Sequence, residues 1–135
     1  MILKIIISVI LGSLIGLERE RHGKVVGVRT LSLICLGATL FTLMSPFGYG
    51  DESRVVAQIV SGVGFLGAGI IFKNGDNIYG LTTAATIWVS AAIGCLIGMG
   101  MFLEASVGCL VIVVINMFFK HFKYETNKKF NSENM

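Results

Sequence analysis

Five long apolar runs alternate with short polar clusters along this 135-residue chain, and that alternation predicts five helices. Met1 to Leu17 is apolar apart from Lys4, Ser8 and Ser13. The cluster Glu18-Arg19-Glu20-Arg21-His22-Gly23-Lys24 follows it with no small-residue cleavage site, so the run reads as a retained first span and not a signal peptide. The second run covers about Thr30 to Phe47, with Pro46 near its end, and Asp51, Glu52 and Arg54 break the pattern. The third covers about Val55 to Phe72. Lys73-Asn74-Gly75-Asp76-Asn77 then predicts a turn, because Asn and Gly tolerate positive φ. The fourth run covers about Leu81 to Met99; Gly98, Gly100 and Glu104 mark a short break; the fifth covers about Phe102 to Phe119.

Composition turns these runs into membrane spans. The chain is 54% hydrophobic and 14% charged, with one proline and a mean hydropathy of +0.81. Soluble domains carry roughly 25% charge. A span needs about 20 apolar residues. The expected fold is an all-α membrane bundle of about five transmembrane helices. Residues 1–120 form the transmembrane domain, and residues 121–135 form a short basic cytoplasmic tail with the composition of a disordered segment.

Charge then orients the bundle. Nine basic residues (Arg19, Arg21, Lys24, Arg29, Lys73, Lys120, Lys123, Lys128 and Lys129) fall on one side of a five-span topology. Only Lys4 and Arg54 fall on the other. The positive-inside bias therefore predicts the N-terminus outside and the C-terminus in the cytoplasm. The net charge of +3 is a topology signal; no nucleic-acid partner is expected, because the basic residues flank spans.

Helices in lipid associate through small residues and interhelical hydrogen bonds. Small or polar stripes run along the first four spans, with Ser8, Gly12 and Gly16 in the first and Ser32, Cys35, Thr39 and Thr42 in the second. Gly62, Gly64, Gly67 and Gly69 crowd the third; Thr82, Thr83, Thr86, Ser90 and Gly94 line the fourth. Gly12, Gly16, Gly62, Gly64, Gly67 and Gly69 are the expected packing glycines. Gly62-x-Gly64-x-x-Gly67 also has the form of a dinucleotide fingerprint, but it lies inside an apolar run with no strand before it. Four glycines within eight residues weaken a helix by roughly 1 kcal/mol each in water, so the third helix is expected to be central, where protein covers any break. The fifth helix is expected to be peripheral or an oligomer face, and a homodimer is the favoured assembly.

Candidate chemistry is sparse. Cys35, Cys95 and Cys109 lie within spans without C-x-x-C partners, and His22 and His121 sit at span edges. There is no P-loop, zinc spacing or nucleophile–base pair. No cofactor is expected, Mg²⁺ being the one ion considered, and no enzymatic activity. Asp51 is the single weak metal candidate, since Mg²⁺ binds through one or two carboxylates while keeping its waters. An Asp51–Arg54 pair at the outer edge, and a Glu18/Arg19/Arg29 set at the inner edge, are the competing structural expectations. Thr82 is the expected N-cap of the fourth helix, and Thr83 and Thr86 continue its polar stripe.

Three blocks carry a family resemblance. Leu14-Ile15-Gly16-Leu17-Glu18-Arg19-Glu20 with Gly27-Val28-Arg29-Thr30 is the first, and Arg54-Val55-Val56-Ala57-Gln58 through Gly69 is the second. Gly80-Leu81-Thr82-Thr83-Ala84-Ala85-Thr86-Ile87-Trp88 is the third. Together they resemble the MgtC/SapB membrane-protein family across about residues 10 to 100. The resemblance implies a bacterial inner-membrane, multi-pass protein associated with low magnesium, acid stress and virulence, one branch acting on the F-type ATP synthase. It carries over Glu18, Arg19, Arg29, Asp51, Arg54, Gln58, Thr82, Thr83 and Thr86 as functional polar positions. Many members add a soluble cytoplasmic domain, whereas this chain is expected to hold the membrane domain only. The virulence branch carries Asn and Cys where Thr82 and Val89 stand, which places this sequence nearer the SapB/YhiD side.

Two functions follow as expectations. The first is a non-enzymatic accessory or regulatory factor in magnesium limitation or acid stress, contacting the lipid bilayer and another membrane complex. The second is a small transporter or channel for Mg²⁺ or another cation, with Asp51 as loader and Gln58, Ser61 and Thr86 as lining.

Overall fold

A computed structural model describes residues 1–45 and 52–133, with side chains described through 118 except at Glu52. Its helices are α1 (Ile2–Arg21), α2 (Val28–Met44), α3 (Glu52–Ala68), α4 (Leu81–Met99) and α5 (Phe102–Glu133). A two-stranded hairpin, β1 (Phe72–Asn74) and β2 (Asn77–Tyr79), joins α3 to α4. One described helix, Leu81–Met99, is long and apolar enough to cross a membrane; Val28–Met44, Ser53–Ala68 and Phe102–Phe118 are shorter apolar helices.

The polar clusters end helices where the pattern predicts, but most boundaries move. The first helix runs on through the charged cluster to Arg21, because Glu and Arg are good helix formers and the basic last turn suits the helix dipole. The fourth helix begins and ends as expected. The turn after the third run extends into a hairpin. Gly75 at φ +60 makes its tight corner, and the Phe72 and Tyr79 rings stack at 5.3 Å across it. The fifth helix continues to Glu133, through the stretch expected to be a disordered tail. Helical bonds are local, and Glu125 stands four residues before Lys129, a spacing that supports a helix without tertiary packing.

The bundle has its centre in α4, not α3. The other four helices all contact it, and its buried residues include Ala84, Ile87, Ser90, Ala91, Gly94 and Gly98, while Leu81, Ala85, Trp88 and Ala92 keep one face open. Glycine placement explains the difference. A methyl group at Gly94 would collide with the Cys35 carbonyl oxygen and lie 2.8 Å from the Ala38 side chain. One at Gly98 would lie 2.5 Å from Thr42 Cβ. These two glycines therefore let the α2 and α4 backbones approach to contact. Gly12 and Gly16 do the same for α1 against α2: a Cβ at Gly12 would sit 2.9 Å from the Leu31 carbonyl oxygen, and one at Gly16 would run into Val28.

The third helix has the opposite character. Nothing lies within 4 Å of a Cβ at Gly62 or Gly64, and at Gly69 such a Cβ meets only its own chain, Leu66 and Phe65. Gly67 alone touches α4, at 3.5 Å from Ala84. The packing expected of Gly62, Gly64 and Gly69 is therefore absent within the described chain. Their stripe points away from α4, while Ile59 and Val63 face the core. The helix stays unbroken through the run to Ala68. The fifth helix, expected to be peripheral, inserts Ala105 and Cys109 into the core beside α1 and α4.

Hydroxyl groups complete the interior without unpaired polar atoms of their own. Thr39 Oγ1 donates to the Cys35 carbonyl at 3.0 Å or to Gly94 at 2.9 Å, the latter linking α2 to α4. Ser90 and Thr42 donate to carbonyls four residues back, at 2.7 and 2.8 Å. At the far end of the bundle Lys4 Nζ donates to the Gly98 carbonyl at 2.6 Å, tying the start of α1 to the negative end of the α4 dipole. Lys4→Met is expected to lower stability by about 1.5 kcal/mol, the value of a hydrogen bond to a charged group. Thermal denaturation of the detergent-solubilised protein measures this, and an unshifted midpoint would remove the tie from the account.

Candidate functional site

Antiparallel packing of α1 with α2 and α4 brings Glu18, Arg19, Arg29 and Thr83 to one end of the bundle. Lys4 with Gly98 marks the opposite end. At the first end, α1 carries two charged side chains into the interior. Glu18 is 7% exposed and Arg19 is 3% exposed. Neighbouring positions on a helix point about 100° apart, so the two leave toward different neighbours.

Arg19 Nη2 donates to Thr83 Oγ1 at 2.9 Å, joining α1 to the first turn of α4. Glu18 Oε1 lies 2.7 Å from His22 Nδ1, one helical turn on, and the same nitrogen is 2.8 Å from the Glu18 carbonyl oxygen. Two oxygen neighbours require that Nδ1 carry the hydrogen. Glu18 Oε2 and Arg19 Nε are buried without hydrogen-bond partners among the described residues. Both side chains are withdrawn from solvent next to each other on α1. The cluster is thus held by charge in a poorly solvated place.

The expected Glu18/Arg19/Arg29 set divides. Arg29 is exposed and turns away from the buried pair, toward a groove between α2 and α3. That groove has a cavity volume of about 1060 Å³ and an apolar lining that includes Leu33, Phe41, Val63 and Leu66, with Ile87 of α4 beneath. Gln58 also lines it and is exposed. Arg54 is exposed near the start of α3, and Asp51, with the pair and metal role expected of it, lies outside the described residues.

Thr82 is not the cap of α4. Gly80 holds that position at φ +87, pressed so closely on the Ile70 carbonyl that no side chain fits; Thr82 stands exposed in the first turn. Thr86 is buried and donates to the Thr82 carbonyl at 2.8 Å. Ser61 is exposed and donates to the Ala57 carbonyl at 3.2 Å. Gln58, Ser61 and Thr86 therefore do not form one lining: the first faces the groove, the second faces outward, and the third satisfies itself inside α4. Among the described residues no group of three His, Cys, Asp or Glu side chains is placed to hold a metal ion.

Sequence reasoning passed over three features. His22 reads from sequence only as a span-edge residue, although its four-residue spacing from Glu18 is a usable signal. Lys4 was counted only as a topology charge. Gly98 was taken only as a span boundary.

Glycine-mediated backbone contacts, hydroxyls bonded to carbonyls and large apolar side chains turned outward are features of helices that pack in lipid. Leu103 and Phe65, 74% and 81% exposed, are typical of the outer surface. The MgtC family model matches residues 5–124, and the chain belongs to that family. Protein MgtC of Brucella abortus is 51% identical over 109 residues, covering 79% of this chain and 46% of the relative. Protein MgtC of Salmonella typhimurium is 42% identical over 128 residues, covering 94% of this chain and 55% of the relative. An uncharacterized protein of Synechocystis is 44% identical over 118 residues, covering 86% and 50%. The chain thus spans about half the length of the curated relatives it matches. No solved structure matches it.

Proposed function

We propose that this chain is a non-enzymatic accessory or regulatory protein of a bacterial inner membrane, active in magnesium limitation, that works by contact with another membrane protein. The magnesium role comes from family membership. The mode of action rests on one observation: α3 presents Ala57, Ser61 and Gly64 outward, all exposed, at helical spacings of four and three. Gly64 has nothing within 4 Å of its Cβ position. A stripe of this kind permits close backbone approach by another helix, the usual basis of association in lipid.

In this reading the five helices span the bilayer with the N-terminus outside. The alternating helix directions support it, since they gather Arg19, Arg21, Lys24, Arg29 and Lys73 at one end. A cation path is the weaker reading, because the hydroxyls of α4 are turned onto their own helix.

Two measurements test the proposal. Protein purified and placed in liposomes with an entrapped Mg²⁺ indicator is expected to pass no Mg²⁺ under an imposed gradient and potential. A bacterial strain lacking this chain is expected to recover growth in low magnesium with the wild type, but not with Gly64→Leu at equal membrane abundance. Flux through the wild-type protein, or full recovery with Gly64→Leu, would overturn it.

A further inference from the structure

The groove between α2 and α3, about 1060 Å³ in volume, has a shape and charge that fit an occupant that the chain does not supply. Along α2 it runs from Arg29 to Phe41, about 18 Å at the rise of a helix. Apart from Gln58 its walls between the ends are apolar, and Gly37 and Gly62, one on each side, have nothing within 4 Å of their Cβ positions. It therefore has the length and polarity of a slot for hydrocarbon.

Its charge sits at one end. Arg29 is the one charged residue among the described residues that line the groove, at the basic end of the bundle. Among the described residues Arg29 makes no hydrogen bond or ion pair. Thr30, also lining the groove, adds a hydroxyl. The N–H groups of Arg29 and Thr30 lie in the first turn of α2, where they have no carbonyl partner within the helix. Glu20 reaches only the preceding N–H, that of Val28, at 3.2 Å. Donors thus collect where the apolar slot opens at the membrane edge, and among the described residues no acidic side chain lines it.

We propose that this groove holds one anionic phospholipid, its acyl chains along the α2–α3 slot and its phosphate on Arg29 and Thr30. Guanidinium–phosphate pairing is bidentate and charge-assisted, which suits a lone arginine facing lipid. A second copy of the chain fits less well. A two-fold axis along the membrane normal sets basic end beside basic end and leaves Arg29 without a counter-charge.

The test uses the full chain purified from bacterial membranes and equilibrated with equal amounts of phosphatidylglycerol and phosphatidylcholine in mixed micelles. Native mass spectrometry counts the lipids retained. The wild type is expected to retain phosphatidylglycerol in about tenfold preference, the factor one charge-assisted hydrogen bond supplies. Arg29→Gln is expected to keep a lipid but lose the preference. Gly62→Leu or Gly37→Leu is expected to fill the slot and abolish retention of both lipids. All three positions are free of close protein contacts, so unchanged thermal midpoints are expected alongside. An undiminished preference in Arg29→Gln overturns the proposal. So does a disulfide-linked dimer formed by Gly62→Cys in native membranes, which would give the groove to a second copy.

Discussion

Gly94→Leu is expected to separate α2 from α4 and to cost about 3 kcal/mol or more, at the upper end of overpacking penalties. The obstruction is backbone, which is why the effect is large. A Cβ at this position meets the Cys35 carbonyl oxygen and lies 3.0 Å from the Cys35 carbonyl carbon, and neither can rotate aside. The insertion also breaks the Thr39 bond to the Gly94 carbonyl. The matched control is Gly62→Ala, where nothing lies within 4 Å. That change is expected to leave stability unaltered or to raise it by up to about 1 kcal/mol through helix propensity. Unfolding of both variants in mixed detergent measures the contrast. Equal losses at the two positions would mean that α3 is packed against something as closely as α4 is.

Arg19→Ala is expected to cost roughly 2–4 kcal/mol, from a lost charge-assisted bond and a buried carboxylate left with less compensation. The bond is the 2.9 Å contact with Thr83; the carboxylate is Glu18, whose Oε1 keeps His22 while Oε2 already lacks a partner. Thr83→Val removes the bond but leaves the charge, so it is expected to cost less, about 1–2 kcal/mol. If Arg19→Ala costs no more than Thr83→Val, electrostatic coupling between Arg19 and Glu18 contributes nothing measurable. The same unfolding assay separates the two outcomes, because both variants lose the α1–α4 bond and only Arg19→Ala also removes the charge and its buried stem.

Much of the helical order was legible in the chain. The fourth helix could be bounded from Leu81 to Met99 because Gly80 and Gly100 flank an unbroken apolar run, and both adopt positive φ. The end of α1 was harder, since Glu18 to Arg21 looked like a loop by charge alone. Charged residues at a span edge can extend a helix as readily as end it, and only the burial of Glu18 and Arg19 distinguishes the cases. The Thr82 cap was misplaced for a related reason. Threonine suits the position chemically, but Gly80 already makes the turn beneath Ile70 and leaves no room for another cap.

The candidate site was legible as a set of residues and not as an arrangement. Glu18, Arg19, Arg29 and Thr83 stand out in an apolar chain because charged and polar side chains are costly there. Their partners do not follow from spacing. Arg19 and Thr83 are 64 positions apart and meet only because α1 and α4 run antiparallel. Arg29, seven residues after His22 in sequence, turns the other way into the groove because the turn at Gly23 reverses the chain before α2 begins.

The sequence by itself determined that the chain is a set of apolar helices, where its charges interrupt them and which family it belongs to. Those properties depend on local hydrogen bonding and on the run of side-chain polarity. Tertiary structure alone decided that α4 and not α3 is the centre, although α3 has the denser glycine run. A glycine reveals which side of a helix could be approached. Whether another backbone occupies that side, as at Gly94, or leaves it open, as at Gly62, depends on how all the helices pack together.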